Sequence, residues 1–285
     1  MKASILLRPL TVADIPFGMS LKSLAGWNQI ASDWECLLGQ SQGGTYIASF
    51  MGQAAGTVTT IQYEDKFSWI GMVLVDPKWR GLGIGTQLLR AAINYALPIG
   101  PVLLDATPKG TKLYKTLGFE ELYGLERLAI AAAPVVEKTE AVMIKGLEAA
   151  FLPACILYDA VQFGANRGKL LQKFYHHAPA YGFIAFQGHQ IAGYCLGRQG
   201  SQFEQIGPIM ADNFTIAKAL FENALAQCQG KPLIVDVPLA QSQWYQYLLS
   251  MGFKVQRPFL RMCLGNGAGM QDTTKQFAIA GPEFG

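Results

Sequence analysis

Residues 80–85, with the sequence RGLGIG, combine one cation with glycine at every second position after it. Glycine has no Cβ atom, so its backbone can approach a ligand closely. If a helix begins directly after these glycines, the N–H groups of its first turn have no partner inside the helix. The positive end of the helix dipole and the Arg80 guanidinium then both favour an anion there. These residue types in this spacing predict a cradle for a pyrophosphate group.

The sequence on both sides predicts the elements that must position such a cradle. Before it, residues 69–75 form an apolar, strand-like run. After it, apolar residues recur at helical spacing on one face, namely Leu88, Leu89, Ala92, Ile93 and Ala96. We therefore expect a strand, a glycine-rich turn and an amphipathic helix in this order.

Two other phosphate-binding motifs do not fit these glycines. Glycines at 81, 83 and 85 lack the spacing of the dinucleotide fingerprint, and no Gly-Lys-Ser/Thr follows, as a nucleoside-triphosphate loop requires. The structural alternative is a glycine-rich turn that only joins a strand to a helix.

The wider context resembles motif A of the GNAT acyltransferases, because residues 75–85 read VDPKWRGLGIG between a strand and a helix. Downstream, residues 113–119 read LYKTLGF, which is similar to the segment that closes the same domain. The resemblance implies an α/β fold with a mixed (α+β) sheet. It also implies transfer of an acetyl group from acetyl-CoA, without a metal, to an amine that attacks directly in a ternary complex.

The resemblance further implies which residues bind the cofactor. In this family the backbone of the central strand holds the thioester and binds the oxygen that gains charge during the attack. The glycine-rich turn would then hold the diphosphate. The implied cofactor-binding residues are Val73, Leu74, Val75, Arg80, Gly81, Leu82, Gly83, Ile84, Gly85 and Thr86.

Tyr114 matches the usual position of the family's catalytic acid. A phenol with a pKa of about 10 is protonated at neutral pH and can donate to the departing thiolate; the alternative is a core tyrosine with a structural hydrogen bond. No carboxylate lies in residues 67–75, where many GNAT proteins carry a glutamate. The base candidates are therefore Asp105 on the adjacent strand, acting through water, and Asp33 or Glu35 on an early helix. A carboxylate at each of these positions is more often a solvated or capping group.

Trp27 and Asn28 are predicted to line the acceptor pocket, although a tryptophan is more often a core residue. We expect the acceptor to be a small-molecule amine. The sequence leaves open whether the protein forms a homodimer.

The composition excludes several other classes of protein. Of 285 residues, 51% are hydrophobic and 15% are charged, which predicts an ordered chain with a sizeable core. A net charge of +3 is too weak to indicate a nucleic-acid or membrane partner. No apolar run is long enough for a membrane span or a signal peptide. The five scattered cysteines, none in a CxxC pair, predict buried, reduced thiols in a cytoplasmic protein.

The chain also reads as two copies of one α/β module, because a hairpin pattern at 45–56 recurs at 181–194. We predict an N-terminal GNAT domain at 1–130, a linker at 131–147, a degenerate GNAT-like domain at 148–267 and a tail at 268–285. Within the tail, FAIA at 277–280 is either a final strand or a loosely held terminus. The whole pattern resembles the two-domain, YitH-like type of GNAT protein, in segments 26–29, 104–108, 206–208 and 236–238.

The second copy lacks the residues that make the cradle. No glycine lies between Met210 and the following helix, and Asp212 or Asn213 is a candidate N-cap that would occupy its free N–H groups. When the Gly-Phe pairs at 118–119 and 252–253 are aligned, Leu248 takes the position of Tyr114. We therefore expect acetyl-CoA in the first copy alone. The chain is interpreted as an N-acetyltransferase; the alternatives are a non-catalytic acyl-CoA sensor and, more weakly, a protein-lysine acetyltransferase.

Overall fold

A computed structural model describes residues 4–139, 142–267 and 269–285 of the chain. These residues form two compact units. The first unit contains the described residues up to Glu121, together with Met262–Gly267 and Phe284. The second contains Leu122–Arg261, the described residues from 269 to Glu283, and Gly285.

Each unit contains segments that are far apart in the sequence, because the division follows spatial contacts. The domain boundaries predicted from the sequence therefore stay a prediction. Residues 1–3 of the predicted first domain, 140 and 141 of the predicted linker, and 268 at the start of the predicted tail lie outside the described residues.

The first unit is a mixed sheet with helices, in the order strand, two helices, three strands, helix, strand, helix. These elements are β1 (Ile5–Pro9), α1 (Ile15–Leu24), α2 (Ala31–Gln40), β2 (Tyr46–Phe50), β3 (Gln53–Tyr63), β4 (Phe67–Val75), α3 (Ile84–Ala96), β5 (Val102–Ala106) and α4 (Pro108–Thr116). Strands β1 to β4 pair in antiparallel order, and β5 is parallel to β4.

Local sequence explains the central elements of this unit. The predicted hairpin is confirmed: β2 and β3 are joined at Met51 and Gly52, both of which have positive φ angles of 51° and 76°, as a tight hairpin turn requires. The predicted apolar face of α3 is also confirmed, because its five residues are all buried. The helix packs this face on β3 and β4.

Strand β4 carries a bulge near its end. Thr57 of β3 pairs with Leu74 and Thr59 pairs with Gly71, so two residues of β4 lie opposite one residue of β3. Met72, in the bulge, has a φ of 48°, and its carbonyl accepts a hydrogen bond from the Thr57 hydroxyl at 2.9 Å. The bulge therefore changes the direction of β4 just before the glycine-rich turn.

The second unit contains the same element types in the same order. They are β7 (Met143–Gly146), α5 (Leu152–Phe163), α6 (Gly168–His177), β8 (Phe183–Gln187), β9 (Gln190–Arg198), β10 (Glu204–Ala211), α7 (Phe214–Leu225), β11 (Leu233–Pro238) and α8 (Ser242–Ser250). The strands β6 (Glu120–Ile130) and β12 (Lys254–Leu264) follow α4 and α8 respectively, and a short strand β13 (Gln276–Ala278) comes last. The predicted repeat is thereby confirmed.

The bulge recurs in the second unit, which fixes the correspondence between the two modules. Ile206 of β10 pairs with Gly197 and Ile209 pairs with Cys195, so again two residues lie opposite one. Matching the two bulges places Leu74 with Ile209 and Val75 with Met210.

Some local predictions differ from the structure. Strand β7 lies inside the segment predicted to be a linker and pairs with β8. Cys228 continues the apolar spacing of α7 in the sequence but lies outside the helix, which ends at Leu225. The expectation of buried cysteines is confirmed, and the described residues contain no disulfide. Among the described helices, none combines the length and the apolar character of a membrane span.

The close packing of the first unit can be tested at Gly56 of β3. A Cβ atom there would lie 2.7 Å from the Leu74 carbonyl oxygen and 3.1 Å from a Leu88 methyl carbon. We expect Gly56→Ala to lower the free energy of unfolding by about 1–3 kcal/mol, because the backbone of β4 must shift. Denaturant unfolding monitored by circular dichroism measures this change.

The matched control is Gly39→Ala in α2, where an added Cβ meets nothing within 4 Å. There we expect no loss, because alanine favours a helix over glycine by about 0.5–1 kcal/mol. Equal effects of the two substitutions would contradict this packing.

Candidate active site

The glycine-rich turn adopts a backbone that only glycine accommodates easily. Gly81 and Gly83 have φ angles of 81° and 82°, and Gly83 is the N-cap residue of α3. A Cβ atom at either position would meet nothing within 4 Å. Glycine is therefore needed here for its conformation, and the turn is exposed to solvent on its outer side.

The first turn of α3 presents its N–H groups without partners. The first hydrogen bond of the helix runs from the Gln87 N–H to the Gly83 carbonyl at 3.0 Å. Within the described part of the chain, the N–H groups of residues 81–86 donate to no protein atom, and no side chain caps the helix. This is the arrangement that binds a phosphate at a helix N-terminus.

Arg80 adds a full positive charge beside these groups. Its side chain is exposed, and its Nε donates to the Val75 carbonyl at 3.3 Å. A short 3-10 turn, Pro77–Trp79, connects β4 to Arg80; the Asp76 carboxylate accepts from the Lys78 N–H at its start. The Trp79 ring packs edge-on against Phe50 with centroids 5.1 Å apart, which holds this connection on the sheet.

The end of β4 lies at a gap in the sheet. Strands β4 and β5 pair only at Ser68↔Val102 and Trp69↔Leu103 in the described residues. Beyond these pairs the two strands are not hydrogen-bonded to each other, so the edge of β4 that holds residues 73–75 has no partner in β5. Leu74 is buried, and Val73 and Val75 are half-buried. Backbone groups on this edge are placed to hydrogen-bond an extended ligand.

Tyr114 lies on α4 with its ring buried, lying over Gly110 and edge-on to Phe119. Burial raises the pKa of Tyr114 to about 12. The structural hydrogen bond offered as an alternative in the sequence is not seen: no described residue is a hydrogen-bond partner of its hydroxyl. The phenol is thus protonated at neutral pH and has a hydrogen bond to give.

The three base candidates lie in different environments. Asp105 is half-buried on β5. Asp33 is buried at the start of α2, where its carboxylate accepts from the Ile30 N–H at 2.9 Å, so it caps that helix. Glu35 is exposed on α2.

The two predicted acceptor residues lie in the loop between α1 and α2. Trp27 is half-buried and Asn28 is 3% exposed. The next residue, Gln29, is also buried, and its Oε1 has no hydrogen-bond partner among the described residues. No spacing in the sequence signals this unsatisfied acceptor.

The sequence did not indicate that Phe284 belongs to the first unit. Its side chain is fully buried, and the Tyr63 hydroxyl of β3 donates to its carbonyl at 2.6 Å. Since the two residues are 221 positions apart in the chain, no local pattern predicts the contact.

The corresponding helix of the second unit differs as expected from its sequence. Asn213 is confirmed as the N-cap of α7, and its side chain accepts from the Ile216 N–H at 3.1 Å. The preceding Asp212 carboxylate accepts from the Tyr158 hydroxyl and pairs with Lys275, each at 3.0 Å. Leu248, which takes the position of Tyr114 when the two copies are aligned, is a fully buried core residue. No group of His, Cys, Asp or Glu side chains in the described residues has the composition of a metal site.

Comparison with known proteins identifies both modules. Residues 17–119 match the acetyltransferase (GNAT) family, and residues 155–278 match an acetyltransferase (GNAT) domain. Holothin acyltransferase from Pseudoalteromonas sp. (strain SANK 73390) is 27% identical over 264 residues, which cover 90% of this chain and 88% of that protein. The uncharacterized N-acetyltransferase YitH of Bacillus subtilis is 28% identical over 65% of each chain.

Solved structures share the fold over almost the whole chain. A putative acetyltransferase from Pyrococcus horikoshii has a TM-score of 0.81 at 19% identity and covers 99% of this chain and 96% of its own. A tandem GNAT protein from the clavulanic acid biosynthesis pathway has a TM-score of 0.63 at 11% identity and covers 93% and 100%. The chain therefore belongs to the GNAT superfamily and is an acyltransferase with two tandem GNAT domains.

Proposed function

We propose that this protein transfers an acetyl group from acetyl-CoA to the amine of a small acceptor, by direct attack in a ternary complex, and that only the first unit binds the cofactor. One observation carries the proposal: the N–H groups of residues 81–86 donate to no protein atom among the described residues, and the exposed Arg80 directly precedes them in the chain. A diphosphate satisfies both features at once, because it accepts several hydrogen bonds and carries negative charge.

The edge of β4 receives the pantetheine and the thioester. The diphosphate would lie at the start of α3, which follows β4 after the connection of residues 76–83, so an extended pantetheine arm can run along residues 73–75. Backbone N–H groups on this edge then stabilise the oxygen that gains charge as the amine attacks. No acyl-enzyme intermediate is needed, since the strand holds the thioester and the acceptor reaches it directly.

Tyr114 supports the departing thiolate. With a pKa of about 12, its hydroxyl keeps its proton throughout the physiological range. Full proton transfer to a thiolate of pKa about 8.5 would cost about 5 kcal/mol. The hydroxyl therefore acts first as a hydrogen-bond donor to the thiolate. Full proton transfer requires that cofactor binding bring the pKa of the phenol closer to that of the thiol.

Asp105 is proposed as the base, acting through a water molecule. Among the candidates, Asp33 is engaged as a helix cap and Glu35 is exposed, whereas Asp105 lies half-buried on the strand that borders the gap. Asp236 stands at the equivalent strand of the second unit, where Arg127 and Gln205 hold its carboxylate. We infer that the second unit uses this aspartate for structure.

The acceptor is proposed to bind near the loop between α1 and α2. Trp27 offers an aromatic surface, Asn28 a polar group, and the buried Gln29 Oε1 a hydrogen-bond acceptor for an amine. One relative is named for acylating holothin, so holothin belongs in the panel of acceptors beside amino acids and polyamines. We further propose a cytoplasmic location with no nucleic-acid, membrane or metal partner. Formation of a homodimer is left as an open alternative.

The diphosphate cradle can be tested with one charge placed in the first turn of each of two corresponding helices. Thr86 and Thr215 lie in the first turns of α3 and α7. A glutamate in a first helical turn stabilises the helix by about 0.3–1 kcal/mol, so neither variant should lose stability. We expect Thr86→Glu to weaken acetyl-CoA binding at least about tenfold, roughly 1.4 kcal/mol, by repulsion of the diphosphate.

Thr215→Glu is the control and should change the dissociation constant less than about twofold, since a capped helix binds no diphosphate. Isothermal titration calorimetry measures both. Unchanged binding in Thr86→Glu, or equal loss in both variants, would refute the cradle.

The role of Tyr114 is tested by Tyr114→Phe. We expect kcat to fall about 10²-fold or more, because proton donation to the leaving group is lost, while the dissociation constant of acetyl-CoA is unchanged. Because the phenol titrates near 12, the wild-type rate should show no alkaline decline from this group between about pH 8 and 10. Release of free thiol measures the rate.

An unchanged kcat in Tyr114→Phe would exclude Tyr114 as the acid. If the wild-type protein binds acetyl-CoA tightly but releases no thiol with any amine of the panel, the acyl-CoA sensor becomes the better interpretation.

A further inference from the structure

The second unit contains the same gap between its central parallel strands, but there the gap is filled. Strands β10 and β11 pair only at Glu204↔Leu233 and Gln205↔Ile234 in the described residues. Strand β13 lies on β10 beyond these pairs and also contacts β11. The chain's own final segment thus occupies the space that the first unit leaves unpaired between β4 and β5.

Hydrogen bonds join this segment to both walls of the gap. On the β10 side, Ile209 pairs with Ala278 and Met210 with Gln276, and the Ala211 N–H donates to the Lys275 carbonyl at 3.0 Å. On the β11 side, the Ile279 N–H donates to the Asp236 carbonyl at 3.0 Å. The segment therefore supplies the partners that the diverging strands cannot supply to each other.

Strand β10 lets the backbone of the final segment approach it closely at Gly207. Gly207, in the bulge of β10, has a φ of 154°, and a Cβ atom there would lie 2.2 Å from the Ile279 carbonyl oxygen. Any other residue at 207 would collide with the segment. The fit thus depends on the absence of a side chain where the two backbones cross.

The residues after β13 are held by buried charges. Glu283 is 3% exposed and pairs with Arg198, while the Arg167 guanidinium donates to the Gly285 carbonyl at 2.9 Å. Arg167 is also paired with Asp159 by two hydrogen bonds of 2.9 Å. The predicted alternative of a loosely held terminus is therefore wrong, and the predicted final strand is confirmed.

The segment takes the backbone positions that the first unit offers to its cofactor. Matching the two bulges places Val75 with Met210 and Leu74 with Ile209, and both Met210 and Ile209 pair with β13. We propose that the β10–β11 gap of the second unit is a strand-binding cleft whose ligand is residues 275–283 of this chain, in place of a pantetheine arm. The comparison with pantetheine rests on the proposed function of the first unit; the occupancy of the cleft does not.

Hydrogen–deuterium exchange on the full chain tests the occupancy directly. The amides of Ala211 and Ile279 should exchange as slowly as those in the interior of α7, because both residues are fully buried and each amide donates to a backbone carbonyl. Exchange of Ile279 at the rate of an unstructured peptide would overturn the proposal, and this readout needs no variant.

Gly207→Ala and Gly146→Ala give a matched pair in the same unit, since an added Cβ at 146 meets nothing within 4 Å. We expect exchange of Ile279 to become at least about tenfold faster in Gly207→Ala and to stay unchanged in Gly146→Ala. Equal exchange in both variants would contradict the close crossing. If Gly207→Ala does not fold, the wild-type exchange rates still decide.

Calorimetric titration of the wild-type chain with acetyl-CoA separates this proposal from the function of the first unit. One site per chain is expected. Two sites would overturn the filled cleft. No binding at all, with Ile279 still protected, would refute the proposed cofactor site while the strand-binding cleft stands.

Discussion

The structure depends on how two neighbouring parallel strands separate after two residue pairs. In both units the central strand carries a bulge, and in both its pairing with the next strand stops early. Buried N–H and carbonyl groups in such a gap need partners, because leaving them unpaired costs as much as a lost hydrogen bond. One unit meets this need with its own chain, and we propose that the other meets it with a cofactor.

The same contrast holds at the helix that follows each central strand. The first turn of α3 has glycine at its N-cap and an arginine before it, whereas the first turn of α7 is capped by Asn213 and preceded by Asp212. A side-chain cap and an external anion compete for the same N–H groups, and a neighbouring carboxylate repels a phosphate. The two units therefore share a fold but differ at the start of this helix in the groups that an anion would meet.

Much of this was predictable from the sequence because the signals are local. Glycine spacing predicts the turn before α3, Met51-Gly52 predicts the first hairpin, and Asn213 before an apolar helix predicts a cap. The interactions that the sequence missed are tertiary. The position of Phe284 in the first unit, for example, depends on Tyr63, which lies 221 positions earlier in the chain. The base and the acceptor residues belong to this class, since their roles depend on which groups surround them and not on spacing.

A crystal structure of the full chain with acetyl-CoA tests the central claim most directly. The account predicts one cofactor per chain, with its diphosphate oxygens within hydrogen-bond distance of the N–H groups of residues 81–86 and its pantetheine along residues 73–75, while residues 276–279 remain on β10. A cofactor seated on β10 with β13 displaced, or a diphosphate away from the start of α3, would contradict it.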